Sequence, residues 1–388
     1  MLRLINGAEI YAPEYLGQKD VLFAGNEVCQ IADNIDISGN AEVEVIDGQG
    51  KYLFPGFIDN HVHITGGGGE GGFATRTPEI GMTDIIDGGI TTIVGTLGTD
   101  GYGRTMADLQ AKASGLEEEG ITVFTCTGSY QIPVRTLTDA ISSDIMFVEK
   151  IVGVGEIAVS DHRSSCPTVQ ELEKIVSETR VAGMLSGKVG IVCVHIGDEP
   201  EILEKIKDIV TRCKSYKKHF HPTHMNRSQE VFEDGLEYLR MGGSVDYTTS
   251  TTPLFLEEGE VACADAVLKV LEEGLDISKV TFSSDGQGSL PAFDKEGNMI
   301  GLEIGRVTSL YGAVKETIEK GVPIDKAISL ITANPATIFG LKKKGFVKEG
   351  YHADLVLVNK ETLEVDTVVA KGQVLRLYGK NLKKGIFE

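Results

Sequence analysis

The sequence predicts an α/β protein: a (β/α)8 TIM-like barrel with a small β-sandwich domain built from both chain ends. Three observations predict it. The middle of the chain alternates short β-like runs with amphipathic stretches of helical period, the pattern of parallel βαβ units. Eight such runs can be counted, the number a closed barrel uses. The two ends share a different texture, short strands broken by turn residues.

The N-terminal end reads as "LRLINGAEIY", "DVLFAGNEVCQIA" and "AEVEVIDGQGKYLF", with Asn-Gly and Asp-Gly turn signals. The C-terminal end returns to this texture in "ADLVLVNKETLEVDTVVAKGQVL". Residues 1–54 plus 345–388 are therefore expected to form the small β domain, and residues 55–344 the barrel. The eight barrel runs are "FIDNHVH", "TTIVGTL", "ITVFTCT", "GVGEIAV", "VGIVCVHI", "FHPTHM", "VDYTTS" and "VTFSSD". Helices between them include "TVQELEKIVSETRVAGMLSG" and "EPEILEKIKDIVTRCKSY". An open doubly wound sheet is the competing arrangement, but no GxGxxG phosphate loop supports it.

Composition narrows the function classes. The 388 residues are 41% hydrophobic and 24% charged, as in an ordinary globular protein. The formal net charge of −20 repels phosphate backbones, so nucleic acid is not expected as a partner. There is no run of 18 apolar residues and no signal-like leader, so no membrane association is expected. The six cysteines show no CxxC pair. Cys126 and Cys193 lie in apolar runs and read as buried small residues. A cytoplasmic location is the expectation.

The informative residues are the titratable ones at strand ends. His61 and His63 end the first run, Glu156 lies in the fourth, His195 ends the fifth, His224 the sixth and Asp285 the eighth. In a barrel these ends converge on one face, and residues i and i+2 of a strand point to one side. Each residue alone has an ordinary reading, such as a turn for Asp285 before Gly286. His219 and His221 can simply flank a strand start, and His162 and His352 receive no role. Together, four imidazoles and two carboxylates suit zinc or a similar divalent metal. Six ligands exceed what one catalytic zinc uses, and two metals sharing a carboxylate would use all six.

The segments "PGFIDNHVH", "HVHITGGGGEGG", "TPEIGMTDIIDGGITTIVGTLGTDG", "TGSY", "SDHRSS", "HIGD", "THMNR" and "SSDGQGS" run through nearly the whole chain. In that order they resemble the amidohydrolase superfamily, and within it the isoaspartyl dipeptidase family. The resemblance implies metal-dependent hydrolysis of β-aspartyl dipeptides, zinc as the cofactor (one or two ions per subunit, two expected), and a homo-oligomer, an octamer in the family pattern. It implies that His61 and His63 hold the more buried metal and His195 and His224 the second. Asp285 would be a ligand and proton shuttle, and Tyr130 would bind the scissile carbonyl. Glu70, assisted by Ser289, would meet the substrate ammonium. Arg163 and Arg227 would meet its two carboxylates, and Thr99 and Gly68 would add contacts. One position departs. Where the family carries a carboxylated lysine in the fourth strand, this sequence has Glu156. Its carboxyl carbon stands three bonds nearer the backbone, so the strand must move inward, a metal must shift, or the bridge is lost.

These residues permit amide hydrolysis without a nucleophilic side chain, and no GxSxG elbow is present. Two alternatives stand beside the dipeptidase. One is a cyclic-amide hydrolase of the dihydroorotase or hydantoinase kind. The other is a non-catalytic paralogue serving assembly. A ring amide offers no free ammonium for Glu70, and a paralogue would have lost ligands.

Overall fold

The structure is a computed structural model that describes residues 1–37, 42–293 and 299–388. Its middle is a barrel of eight parallel strands. They are Phe57–Val62, Ile90–Gly95, Thr122–Thr127, Ile151–Val159, Ile191–Ile196, Phe220–Thr223, Val245–Thr248 and Val280–Ser283. The first six form one continuous parallel sheet, and the last two pair with each other. A parallel bridge between Val62 and Gly286 joins the eighth strand's exit to the first. The Met225 amide donates to the Asp246 carbonyl and joins the sixth strand's exit to the seventh. Six of the eight sequence runs contain their strand whole; the second and fourth strands start before their runs, at Ile90 and Ile151.

The strands read as near-continuous apolar runs because both faces are covered. Ile58, Val94, Cys126, Val152, Ile191 and Cys193 point inward and pack with Phe339. The two thiols meet there at 3.7 Å. The outer faces meet helices such as Val169–Ser186. That helix starts where the sequence says it should: Thr168 and Glu171 make a reciprocal capping box, and Gly187 ends it in the left-handed conformation. Its buried residues Leu172, Ile175, Val176, Thr179, Ala182 and Gly183 form one stripe. The next helix departs from the sequence reading. It spans only Glu204–Arg212, because Leu203 offers no capping side chain and Lys214–His219 tightens into a 3-10 turn.

Both ends build one nine-stranded sheet. The seam is Leu355–Asn359 running antiparallel to Lys51–Pro55, with Leu355 opposite Pro55 and Asn359 opposite Lys51. This sheet has an apolar core of its own, including Ile5, Ile10, Phe23, Leu53, Leu355 and Leu357. The stretch "AEVEVIDGQGKYLF" divides into Val43–Asp47 and Lys51–Pro55 around the Asp47-Gly48 turn. Its first residue, Ala41, lies outside the described residues. Asn6-Gly7 does not reverse the chain. It makes a bulge between Ile5 and Ala8, where the Gly7 amide donates to Asp20. No helix among the described residues is long and apolar enough to cross a membrane.

Candidate metal centre and active site

The C-terminal strand ends gather the titratable residues at one point. His61 lies within the first strand and His63 follows it. Glu156 lies within the fourth strand and His195 within the fifth. His224 follows the sixth and Asp285 the eighth. Glu156 is fully buried and sits at the centre. Its Oε2 lies 3.2 Å from His61 Nε2, 3.3 Å from His195 Nδ1 and 3.6 Å from His224 Nε2. Its Oε1 lies 3.4 Å from His63 Nε2. Asp285 Oδ1 is 3.0 Å from His63 Nε2 and 3.8 Å from His61 Nε2.

The fourth strand reaches the centre through a close approach that only glycine permits. Gly155 has φ +135°, and a Cβ there would stand 2.5 Å from the Cys193 carbonyl oxygen of the fifth strand. The glycine places the following carboxylate among the four imidazoles. The Glu156 carboxylate thus lies within 3.6 Å of all four histidines.

The donor set fits a cation. Ligands around an ion with bonds of ~2.1 Å in tetrahedral geometry lie about 3.4 Å apart, and the separations above cluster near that distance. His61, His63 and Asp285 form one group of mutually close donor atoms, and His61, Glu156 and His224 another. His61 Nε2, both Glu156 oxygens and Asp285 Oδ1 are buried without a well-aligned hydrogen-bond partner, which is costly unless something else satisfies them. The electrostatics agree. Burial alone would lower His61, but Glu156 and Asp285 push it up to about 10. Burial would raise Glu156, but His61 and the close approach of the other imidazoles hold it well below the usual range. Asp285, also opposed by burial, is held down to about 2 by His63. Burial and the neighbouring His195 lower His224 to about 4. Positive charge is thus stabilised beside Glu156 and Asp285, at His61, and disfavoured at His224.

A cavity of about 410 Å³ opens over the centre, within the range of small-ligand sites. Gly68, Glu70, Thr99, Tyr130, Arg163, Arg227 and Ser289 all line it, with His63, His195, His224 and Asp285 at its floor. Glu70 accepts from Thr99 at 3.0 Å, from Arg163 at 3.2 Å and from Ser289 at 3.3 Å. The glycine loop that carries Glu70 is folded rather than loose. Gly68 has φ +67°, and a Cβ there would meet the Thr75 carbonyl at 2.7 Å. The buried Arg104 donates to the Thr65 and Thr77 carbonyls beneath it. Tyr130 Oη is 2.8 Å from His195 Nδ1. Burial and Glu156 raise its pKa well above 10, so it is a neutral O–H donor.

Some residues of the site escaped the sequence reading. Asp161, in the "SDHRSS" loop, bonds Arg163 and His195. A polar layer lies beneath the centre. Asp59 accepts from Ser284, and Asp246 accepts from Asn60, Thr223, Thr281 and Ser283. Their only signal was an acid inside an apolar strand. His219 and His221 serve the barrel wall: His219 bonds the Gly190 carbonyl, and His221 lies between Ser244 and Thr281.

Comparison with known proteins places this geometry in a family. The amidohydrolase family profile matches residues 52–375. The chain is 44% identical to a β-aspartyl dipeptidase from Fervidobacterium islandicum AW-1, solved in complex with the β-Asp-Leu dipeptide. That match covers 98% of each chain with a TM-score of 0.91. It is 25% identical to an allantoinase of Bacillus velezensis over 95% of this chain and 88% of that protein. It is 27% identical to a dihydroorotase of Listeria monocytogenes over 96% of this chain and 93% of that protein. The chain is an enzyme of the amidohydrolase family, on the branch that holds the β-aspartyl dipeptidases.

Proposed function

We propose that the chain hydrolyses β-aspartyl dipeptides with a water activated by zinc, two ions per subunit. The observation that carries this reading is the Glu70–Arg163 pair on the cavity wall, opposite charges 3.2 Å apart. In a β-aspartyl dipeptide the side-chain carboxyl makes the amide. The ammonium and the free α-carboxylate therefore stand on one carbon. Their complement is a carboxylate beside a guanidinium, and guanidinium reads carboxylate through paired hydrogen bonds. Thr99 and Ser289 brace Glu70, and Gly68 leaves room beside it. Arg227, after His224, takes the carboxylate of the leaving residue. The similarity to a dipeptidase solved with β-Asp-Leu supports the same substrate.

His61, His63, His195, His224, Glu156 and Asp285 would hold the metal. A bound divalent ion supplies a water acidified to a pKa of about 7 and a Lewis acid for the carbonyl. The chain's own groups do the rest. Asp285 takes the proton of the attacking water and returns it to the leaving amine. Tyr130 donates its O–H to the carbonyl oxygen as negative charge grows there. Glu156 is a permanent carboxylate that would serve where the family pattern has a bridging group, so no lysine would need carboxylation.

Turnover of a substrate panel tests the reading. Zinc-loaded protein should cleave β-Asp-Leu and leave dihydroorotate and hydantoin untouched, since neither ring presents an ammonium to Glu70. Ring opening without β-Asp-Leu cleavage would move the chain to the cyclic-amide hydrolases. Inactivity on all three would overturn the proposed substrate and leave another amide of the family's range.

A further inference from the structure

One buried carboxylate beside the metal centre has no part in the chemistry above. Asp161 stands in the loop after the fourth strand and is 5% exposed. Its Oδ1 accepts from the Arg163 backbone N–H at 2.7 Å and from Arg163 Nε at 2.9 Å. Its Oδ2 accepts from Arg163 Nη2 at 2.8 Å and from His195 Nε2 at 2.9 Å. Arg227 Nη1 lies 3.6 Å from the same Oδ2. Asp161 therefore touches a histidine of the donor cluster and lies beside both arginines of the cavity.

These contacts fix the chemistry of His195. An ionised carboxylate only accepts, so the proton must sit on Nε2 and the lone pair of the neutral ring on Nδ1. Nδ1 is the atom that faces Glu156 Oε2 at 3.3 Å and Tyr130 Oη at 2.8 Å. Arg163 Nη2 comes within 3.3 Å of Nε2 because both donate to one oxygen. Four hydrogen bonds occupy the two oxygens, so rotating the carboxylate toward one partner breaks its hold on the other. An ion pair that merely braced the loop would need Arg163 alone.

We propose that Asp161 is a positioning residue that ties the metal centre to carboxylate recognition. It holds His195 in the tautomer that presents Nδ1 to the cation, and it aims Arg163 at the substrate. The inference rests on the proposed function for the substrate's identity, but not for the metal half.

Asp161→Asn tests it. The amide has one acceptor oxygen, and its NH2 must oppose either His195 Nε2–H or Arg163. Zinc affinity, read by competition with a chelator and without substrate, should fall about 10–100-fold, as for other partners that orient metal-binding histidines. With zinc then saturating, KM for β-Asp-Leu should rise at least ~10-fold, more than kcat falls, as a charge-assisted contact is misaligned. Unchanged zinc affinity, or an unchanged KM at saturating zinc, overturns the proposed tie. If the wild type fails to cleave β-Asp-Leu, the functional reading fails, while the chelator competition still decides the hold on His195. Should Asp161→Asn not fold by circular dichroism, nitrogen-15 histidine spectra of the zinc-loaded wild type decide. A proton on Nε2 of His195 and metal on Nδ1 are expected, and the reverse overturns the proposal.

Discussion

Glu156 is a fully buried acid among four imidazoles, and its charge does not depend on a captured CO₂. Activity should therefore be independent of bicarbonate. After metals and CO₂ are stripped, zinc alone should restore turnover, and recovery only on adding bicarbonate would place the bridge on a lysine instead. Much about this residue was legible. A glutamate inside the apolar run "GVGEIAV" is rarely tolerated without a partner, and the spacing of His61 and His63 already put two rings on one side of a strand. Asp161 was not legible. In sequence it reads as a loop acid before His162, and its partner His195 lies 34 residues away. The parallel pairing of the fourth and fifth strands, with His195 opposite Ala158, is what brings their exits together. The same holds for Asp59 and Asp246, whose partners Ser284 and Thr281 come from neighbouring strands that are distant in sequence or paired only once the sheet has formed.

Strands were easier to read than helix ends. Each barrel strand is a short apolar run, and burial on both faces leaves no other environment for it. The helix after the fifth strand begins later than its apolar pattern, since no Ser, Thr or Asp caps it at Leu203. The fourth strand carries the sharpest constraint at this scale. A methyl at Gly155 would collide with the Cys193 carbonyl and sit at a φ that side chains rarely adopt. Gly155→Ala should destabilise the protein by ~1–3 kcal/mol, seen as a lower melting temperature, and should reduce zinc retained per chain by displacing Glu156. Gly115→Ala is the matched control. It lies in the helix Met106–Glu119 with nothing near its would-be Cβ, so it should be neutral or slightly stabilising. Equal melting temperatures for the two variants would show that the strand accommodates the methyl.

At the scale of the molecule, one buried ion pair ties the sheet of the two ends to the barrel. Lys344 is 2% exposed and Asp354 4%. Lys344 donates to Asp354 and to Thr122, at the start of the third barrel strand. Asp354 also accepts the Lys371 amide. Lys344→Met leaves a buried carboxylate without its cation and should cost ~3–5 kcal/mol, with kcat/KM unchanged well below the melting temperature. An unaltered melting temperature would mean that water reaches Asp354. Glu70, Arg163 and Arg227 come from three separate strand exits and line one cavity, and the proposed function has them read one small molecule together. Two isomers ask whether they do. β-Asp-Leu and α-Asp-Leu have the same atoms and the same charges, and differ only in which aspartyl carboxyl forms the amide. The α isomer has no carboxylate on the carbon that bears its ammonium, so it presents none to Arg163 there. Misplacing one charge-assisted contact costs ~2–5 kcal/mol. The measurement is kcat/KM for both isomers on the zinc-loaded enzyme. A preference of at least ~30-fold for β-Asp-Leu is the result expected. Equal turnover of the two isomers, or a preference for α-Asp-Leu, would contradict the reading of Glu70 and Arg163 as a receptor for the α-ammonium and α-carboxylate together.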